Sequence, residues 1–350
     1  MKIRKMMLSA AAAVLLSLSL AACGGKTETT ADTKAAESSA ETSAEVQAES
    51  QAEAAAGDVL RVSSLKGPTT MGLVNLMKES ESGASEGAYS FSMATQPDEL
   101  LAKIVGGETD IALVPANMAA VLYNKTQGAV SVIDINTLGV LYCITGDENI
   151  HSVKDFSENM VITTGQGATP EYVLNTLLKE NSVLDCTVEF KSEATEIAAT
   201  LNADPMRIAV LPQPFATVAV SQNEALHTAF SLTDEWDSLP GDSRMVTGVT
   251  VVRNEYLKEH PEEIELFLKE HEKSAAKAAE DVQGTAALVA EYGIIEKAPL
   301  AEKALPLCNI VCIRGEEMKT ALSGYLDALY QQNPKAVGGA LPEDSFYYMK

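Results

Sequence analysis

Positive charge is scarce in this chain, and so are the side chains that carry redox and metal chemistry. Lys and Arg number 26 against 49 Asp and Glu, a formal net charge of −23. Such an acidic body repels phosphate, which excludes nucleic acid and anionic lipid surfaces as partners. The four histidines, His151, His227, His260 and His271, are scattered. The sequence has no C-x-x-C pair, no H-E-x-x-H and no Cys/His cluster, so neither a metal site nor a cofactor is expected. It has no G-x-S-x-G elbow, and nothing sets a Ser beside a His. Gly165-Gln-Gly-Ala-Thr169 lacks the Lys-Ser/Thr pair of a phosphate loop. These absences point away from an enzyme and leave no catalytic residue to name. Cys308 and Cys312, four apart, leave two readings open: a pair across a bend, or buried free thiols.

The N-terminus is what secretion requires. A basic start, Met1-Lys-Ile-Arg-Lys5, precedes an apolar run from Met6 to Leu20 and then small residues. That pattern is a secretory signal, too short and wrongly flanked for a membrane span. Leu20-Ala-Ala-Cys23 resembles the lipobox of bacterial lipoproteins. The resemblance implies a signal peptide over 1–23, cleavage before Cys23 and a diacylglyceryl group on its sulfur. Residues 24–57 are Thr, Ser, Ala, Glu and Gln with almost no large apolar side chains, so no core can form and a flexible tether is expected. After residue 57 there remain 21 Lys plus Arg against 42 Asp plus Glu, and enough chain for two cores.

The folded part opens on Val59 to Met77, read as strand, tight turn and helix. Leu60 and Val62 supply the strand, Gly67 a sharp turn, and Pro68 suits the first turn of a helix. Met71, Val74, Leu76 and Met77 give an apolar helical face running to Lys78. Such a junction aims backbone N–H groups outward with the helix dipole behind them, and Thr69 and Thr70 add hydroxyls. The device returns at Gly165-Gln-Gly-Ala-Thr-Pro170, followed by a helix from Glu171 to Glu180. A second echo links Asp110-Ile-Ala-Leu-Val-Pro-Ala-Asn117 with Arg207-Ile-Ala-Val-Leu-Pro-Gln-Pro214, each a short apolar strand ending in Pro and opening a helix. Alternating strands and helices imply parallel α/β layers, with ligand-facing turns at the carboxyl ends of strands. His227 to Trp236 reads as strand plus turn, Glu262 to Val282 as a long amphipathic helix, and Asn333 to Tyr348 as loop. Tyr142 reads as a core aromatic or a ring against a ligand.

From residue 58 onward the chain resembles the solute-binding lipoproteins of ABC importers, within them the nitrate/sulfonate/taurine and thiamine-precursor group. The resemblance is carried by Cys23, Asp110 to Asn117, Leu211-Pro-Gln-Pro-Phe-Ala216, Asn254-Glu-Tyr-Leu-Lys-Glu-His-Pro-Glu262 and Val337 to Tyr348. It implies the α/β type II periplasmic-binding-protein fold: two lobes, two crossing hinge strands, and closure on the ligand. The implied lobes are 58–144 plus 246–350, and 145–245. It places ligand contacts at Lys66, Gly67, Thr69, Thr70, Gln96, Asn117, Gly165, Gln166, Gly167, Ala168, Thr169 and Gln213. Many relatives have an acid where this chain has Gln213, so the carboxylate for a cationic heterocycle is missing. Lys66 is the only cation in these turns. A neutral or singly charged small molecule fits that set.

The implied function is delivery of a small polar solute to an ABC permease by a monomer held by its lipid on the extracytoplasmic face of the cell membrane. The alternative is a lipid-anchored sensor that uses the same two lobes to regulate a membrane partner.

Overall fold

The computed structural model describes residues 59–350. The signal peptide, the lipidation position Cys23 and the tether lie outside the described residues. Two sheets organise the rest. The first has strand order β11-β4-β10-β3-β1-β2, built from β1 (Leu60–Leu65), β2 (Tyr89–Ala94), β3 (Ile111–Pro115), β4 (Val130–Leu138), β10 (Val246–Arg253) and β11 (Ile310–Ile313). The second has order β7-β6-β8-β5-β9, from β5 (Leu141–Thr145), β6 (Met160–Thr163), β7 (Thr187–Phe190), β8 (Ile208–Pro212) and β9 (His227–Ser231).

The echo between half-chains is visible in the pairing. In the first sheet β1 lies between β2 and β3, parallel to both, and β10 runs antiparallel beside β3. In the second sheet β6 lies between β7 and β8, parallel to both, and β5 runs antiparallel beside β8. Parallel neighbours require crossover helices, which cover the sheet faces and bury the strands. β3 and β8, the two Pro-terminated strands, are buried over their first four residues and open helices Ala116–Lys125 and Phe215–Gln222.

Two connections pass between the sheets. One leaves β4 and enters β5 through Gly139 and Val140; the other leaves β9 and reaches β10 through residues 232–245. β4 is buried along all nine residues and β5 along all five. Because β5 pairs with β8 and β9, the chain enters the second sheet at Leu141, ahead of the boundary expected at 145. One cluster of buried apolar side chains runs from Val114 and Ile135 of the first sheet through Leu322 and Tyr325 to Val210 and Tyr172 of the second. Helix Gly315–Gln332 supplies its centre, burying Met318, Ala321, Leu322, Tyr325, Leu326 and Leu329 at helical spacing.

Several local expectations change. The helix after β1 is two pieces, Pro68–Met71 and Val74–Glu81, with the Leu73 N–H bonded to the Thr70 carbonyl at 2.9 Å. The segment after β9 is a helix, Leu232–Asp237, rather than a turn: Ser231 Oγ accepts from the Thr233 N–H at 3.1 Å, and Asp234 and Glu235 complement the helix dipole. β11 was not expected; its four residues are too few to show a period. The long amphipathic helix spans Pro261–Glu280, and Val282 starts the next one. The tail is partly ordered into 3-10 turns at Pro334–Val337 and Asp344–Phe346, and the Tyr348 N–H donates to Val132 of β4 at 2.9 Å. Cys308 and Cys312 are free, which resolves that alternative, and Cys308 Sγ faces the Ala304 carbonyl at 3.2 Å.

Gly248 of β10 sits where backbone, Thr69 and Asn136 come together; a Cβ there would overlap the Thr69 methyl and Asn136 Oδ1. Gly248→Ala is therefore expected to cost about 1–3 kcal/mol by overpacking, read from denaturant unfolding midpoints.

Candidate functional site

Every predicted turn follows the carboxyl end of a strand. Lys66 to Thr70 follow β1, Gln96 follows β2, and Asn117 follows β3; these strands are mutually parallel neighbours, so the three turns share one edge of the first sheet. Gly165 to Thr169 follow β6 and Gln213 follows β8, again parallel neighbours with one common edge.

Within the first set the side chains differ in what remains free. Thr70 is fully buried; its Oγ1 donates to the Leu65 carbonyl at 2.6 Å and lies 2.8 Å from Ser64 Oγ. Thr69, also buried, donates to the same carbonyl at 2.7 Å. Both hydroxyl protons are spent inside the turn, which they tighten. Lys66 and Gln96 are exposed. Asn117 is half-buried and its Nδ2 donates to the Ala336 carbonyl at 3.3 Å.

The second set is knitted to the C-terminal segment. Gly165 and Gly167 have φ of 76° and 74°, the left-handed region that suits glycine. The Gly167 N–H donates to the Glu171 carboxylate, so this turn already holds an anion of its own. The Gly167 carbonyl accepts from the Tyr172 hydroxyl at 3.1 Å, which accepts in turn from Asn333 Nδ2 at 3.0 Å. Asn333 also caps the 3-10 turn whose Ala336 carbonyl meets Asn117. A continuous path thus runs from the Asn117 turn through 333–336 to the Gly167 turn. Gln166 is exposed, while Ala168 and Thr169 are half-buried. Burial pushes up the pKa of the Tyr325 phenol, and the neighbouring Thr169 hydroxyl holds it down in part.

Gln213 is buried, 2% exposed, and only one end of its amide is satisfied. Oε1 accepts from the Thr217 hydroxyl at 2.7 Å and from the Thr217 N–H at 3.3 Å. The Nε2 donors have no partner among the described residues. A buried amide donor left unpaired costs on the order of 1–3 kcal/mol, so an acceptor supplied from outside would be strongly held.

Sequence reasoning missed Tyr172, Asn333 and Tyr325. Tyr172 was read as one more apolar position, although a Tyr in an apolar stripe needs an outlet for its hydroxyl. Tyr142 belongs to the core: it is 5% exposed, its hydroxyl donates to the Leu307 carbonyl at 2.8 Å, and burial pushes its pKa up to about 12. Two open concavities of about 640 and 650 Å³ lie away from all these turns, one beside Arg244 and Glu316, the other beside Leu257 and Lys258. Among the described residues no helix is long and apolar enough to cross a membrane.

No protein-family model matches the chain, and no curated protein does. Solved structures do. An ABC transporter structure from Parabacteroides distasonis is 26% identical, covers 84% of this chain and 100% of its own, and superposes with a TM-score of 0.72. The periplasmic aliphatic sulphonate binding protein SsuA from Escherichia coli is 14% identical, covers 84% and 93%, and has a TM-score of 0.66. A periplasmic sulfonate-binding protein SsuA from Methylobacillus flagellatus is 13% identical, covers 83% and 92%, and has a TM-score of 0.59. The fold is the α/β periplasmic-binding-protein fold; the first neighbour is an ABC transporter structure, and the other two are of the ABC-transporter sulfonate-binding type that the sequence resembles.

Proposed function

We propose that this chain is an extracytoplasmic, lipid-anchored solute-binding protein that captures a small polar molecule and delivers it to an ABC permease. The observation that carries the reading is the unpaired, buried amide donor of Gln213 at the end of β8. It lies in the same family of strand-end turns as the Gly165–Thr169 loop, and open α/β sheets bind ligands at such ends. The division we propose is one lobe of 58–140 plus 246–350 and a second of 141–245, with ligand bridging Lys66, Gly67, Gln96 and Asn117 on one side, where the buried Thr69 and Thr70 hydroxyls tighten the turn rather than reach the ligand, and Gly165 to Thr169 and Gln213 on the other. Closure follows from that bridging, since a ligand that touches both lobes favours the closed state.

The electrostatics narrow the solute. Lys66 is the only cation in the turns, and Glu171 already occupies the Gly167 N–H. A doubly charged anion would meet that carboxylate, so the solute is neutral or singly charged and presents at least one acceptor. A panel of alkanesulfonates, amino sulfonates and neutral amides, screened for a rise in melting temperature, identifies the class. With the hit in hand, Asn117→Ala and Thr169→Ala should each weaken binding about tenfold, near 1.4 kcal/mol, with the fold retained. Unchanged affinity in both variants, measured by calorimetry, refutes the site.

A further inference from the structure

Two carboxylates are buried in the first sheet, and they are treated very differently. Asp110, 1% exposed, is held by two guanidinium groups, Arg61 at 2.6 Å and Arg253 at 3.2 Å. Asp134 of β4, 0% exposed, has no Lys or Arg partner among the described residues. Its Oδ1 accepts from the Thr250 hydroxyl at 2.8 Å, and its Oδ2 lies 3.2 Å from Nδ1 of His271, itself 0% exposed. Nε2 of His271 is buried with no hydrogen-bond partner. Cys312 of β11 completes the group: a carboxylate oxygen of Asp134, a ring nitrogen of His271 and Sγ of Cys312 all lie within 4.8 Å of one another.

We propose that Asp134, His271 and Cys312 form a binding site for one divalent cation of the zinc class. The donor set is the argument. Thiolate, imidazole and carboxylate together suit zinc, whose bonds of about 2.0–2.3 Å place tetrahedral donors some 3.3–3.8 Å apart. The Asp134 Oδ2–His271 Nδ1 separation of 3.2 Å falls just short of that edge, so a bound ion needs only a slight widening there. Charge also closes: a dication, one thiolate, one carboxylate and a neutral imidazole sum to zero, which a buried site requires. Binding releases the Cys312 thiol proton to solvent, forms the metal–sulfur bond, and leaves one coordination position for water. The ion would tie β4, β11 and helix Pro261–Glu280 together. The site departs from the sequence expectation of no metal, because the three ligands come from distant segments without a spacing motif.

The test uses the full-length chain carrying Cys23→Ser, so that no surplus thiol from the lipidation position competes. After chelator treatment, zinc chloride should bind at one equivalent by calorimetry and raise the melting temperature. Cobalt(II) in its place should give a sulfur-to-metal charge-transfer band and d–d bands of tetrahedral intensity. Cys312→Ser and Asp134→Asn should lose stoichiometric binding, whereas Cys186→Ser should keep it. Absence of stoichiometric zinc, retention of the site in Cys312→Ser, or a cobalt spectrum without a thiolate band each overturns the proposal. The spectral criterion needs no variant, so it stands even where a substitution impairs folding.

Discussion

Trp236→Ala is expected to destabilise the protein by about 3–5 kcal/mol, a fall in melting temperature on the order of 10 °C. Trp236 is the only tryptophan in the chain and is 2% exposed. Its ring packs on Tyr325 with centroids 5.6 Å apart, and its Nε1 donates to Ser243 Oγ at 3.1 Å. The residue therefore clamps helix Leu232–Asp237, the return connection toward β10, against helix Gly315–Gln332. Truncation leaves a cavity between two rigid helices that cannot collapse, which places the cost at the upper end for large-to-small changes. Trp236→Phe restores most of the apolar contact but orphans Ser243, and should cost roughly 1–2 kcal/mol. Circular dichroism monitors both variants. Equal stability of Trp236→Ala and the parent would show that this contact does not hold the connection.

The second large effect concerns Asp110. Removing both Arg61 and Arg253 side chains as alanine should cost roughly 3 kcal/mol at neutral pH, the low end for an uncompensated buried charge because Arg61 remains partly in water. The sign of the pH dependence is distinctive. Burial alone raises the Asp110 pKa, but hydrogen bonds and charge from Arg61, with Arg253, hold it below the usual carboxylate range. In the parent protein this group contributes stability above the unfolded value near 3.9, and the contribution is lost as pH falls through the lowered folded value. In the double variant the residue-61 backbone N–H still donates to the carboxylate at 3.1 Å, but both guanidinium groups are gone and burial, the largest influence, dominates, so the pKa is raised and the penalty disappears once the carboxyl protonates. The stability gap should be widest near pH 7 and close toward pH 3, measured by urea unfolding across that range. A gap that stays constant with pH would place the cost in lost packing instead.

What the sequence made legible was local chemistry. Gly67-Pro68, Gly165 to Pro170 and the two Pro-terminated apolar strands announce turns through residues whose backbone preferences act within four or five positions. The turns at Asn117 and Gln213 were found for that reason. The helix after Ser231 was legible too, through its cap and acidic first turn, although the segment was read as a turn. β11 and the tail were not legible, because both are ordered by pairing with β4, far away in the chain. The same holds for side-chain groupings drawn from distant segments. Nothing near Tyr172 signals Asn333, nothing near Asp134 signals Cys312, and the half-satisfied amide of Gln213 exists only once Thr217 has taken its oxygen.

The two connections between sheets leave β4 and β9 and arrive at β5 and β10, and in each sheet the two strands involved are adjacent: β4 beside β10, β5 beside β9. A pair of neighbouring tethers acts as a strap of finite width. Under the proposed closure, such a strap would allow one sheet to swing and twist on the other while resisting sliding and separation. Helix Gly315–Gln332, packed on β4 and β10 and against Trp236 of the return connection, crosses the divide beside these tethers and would have to shift in register with any such swing.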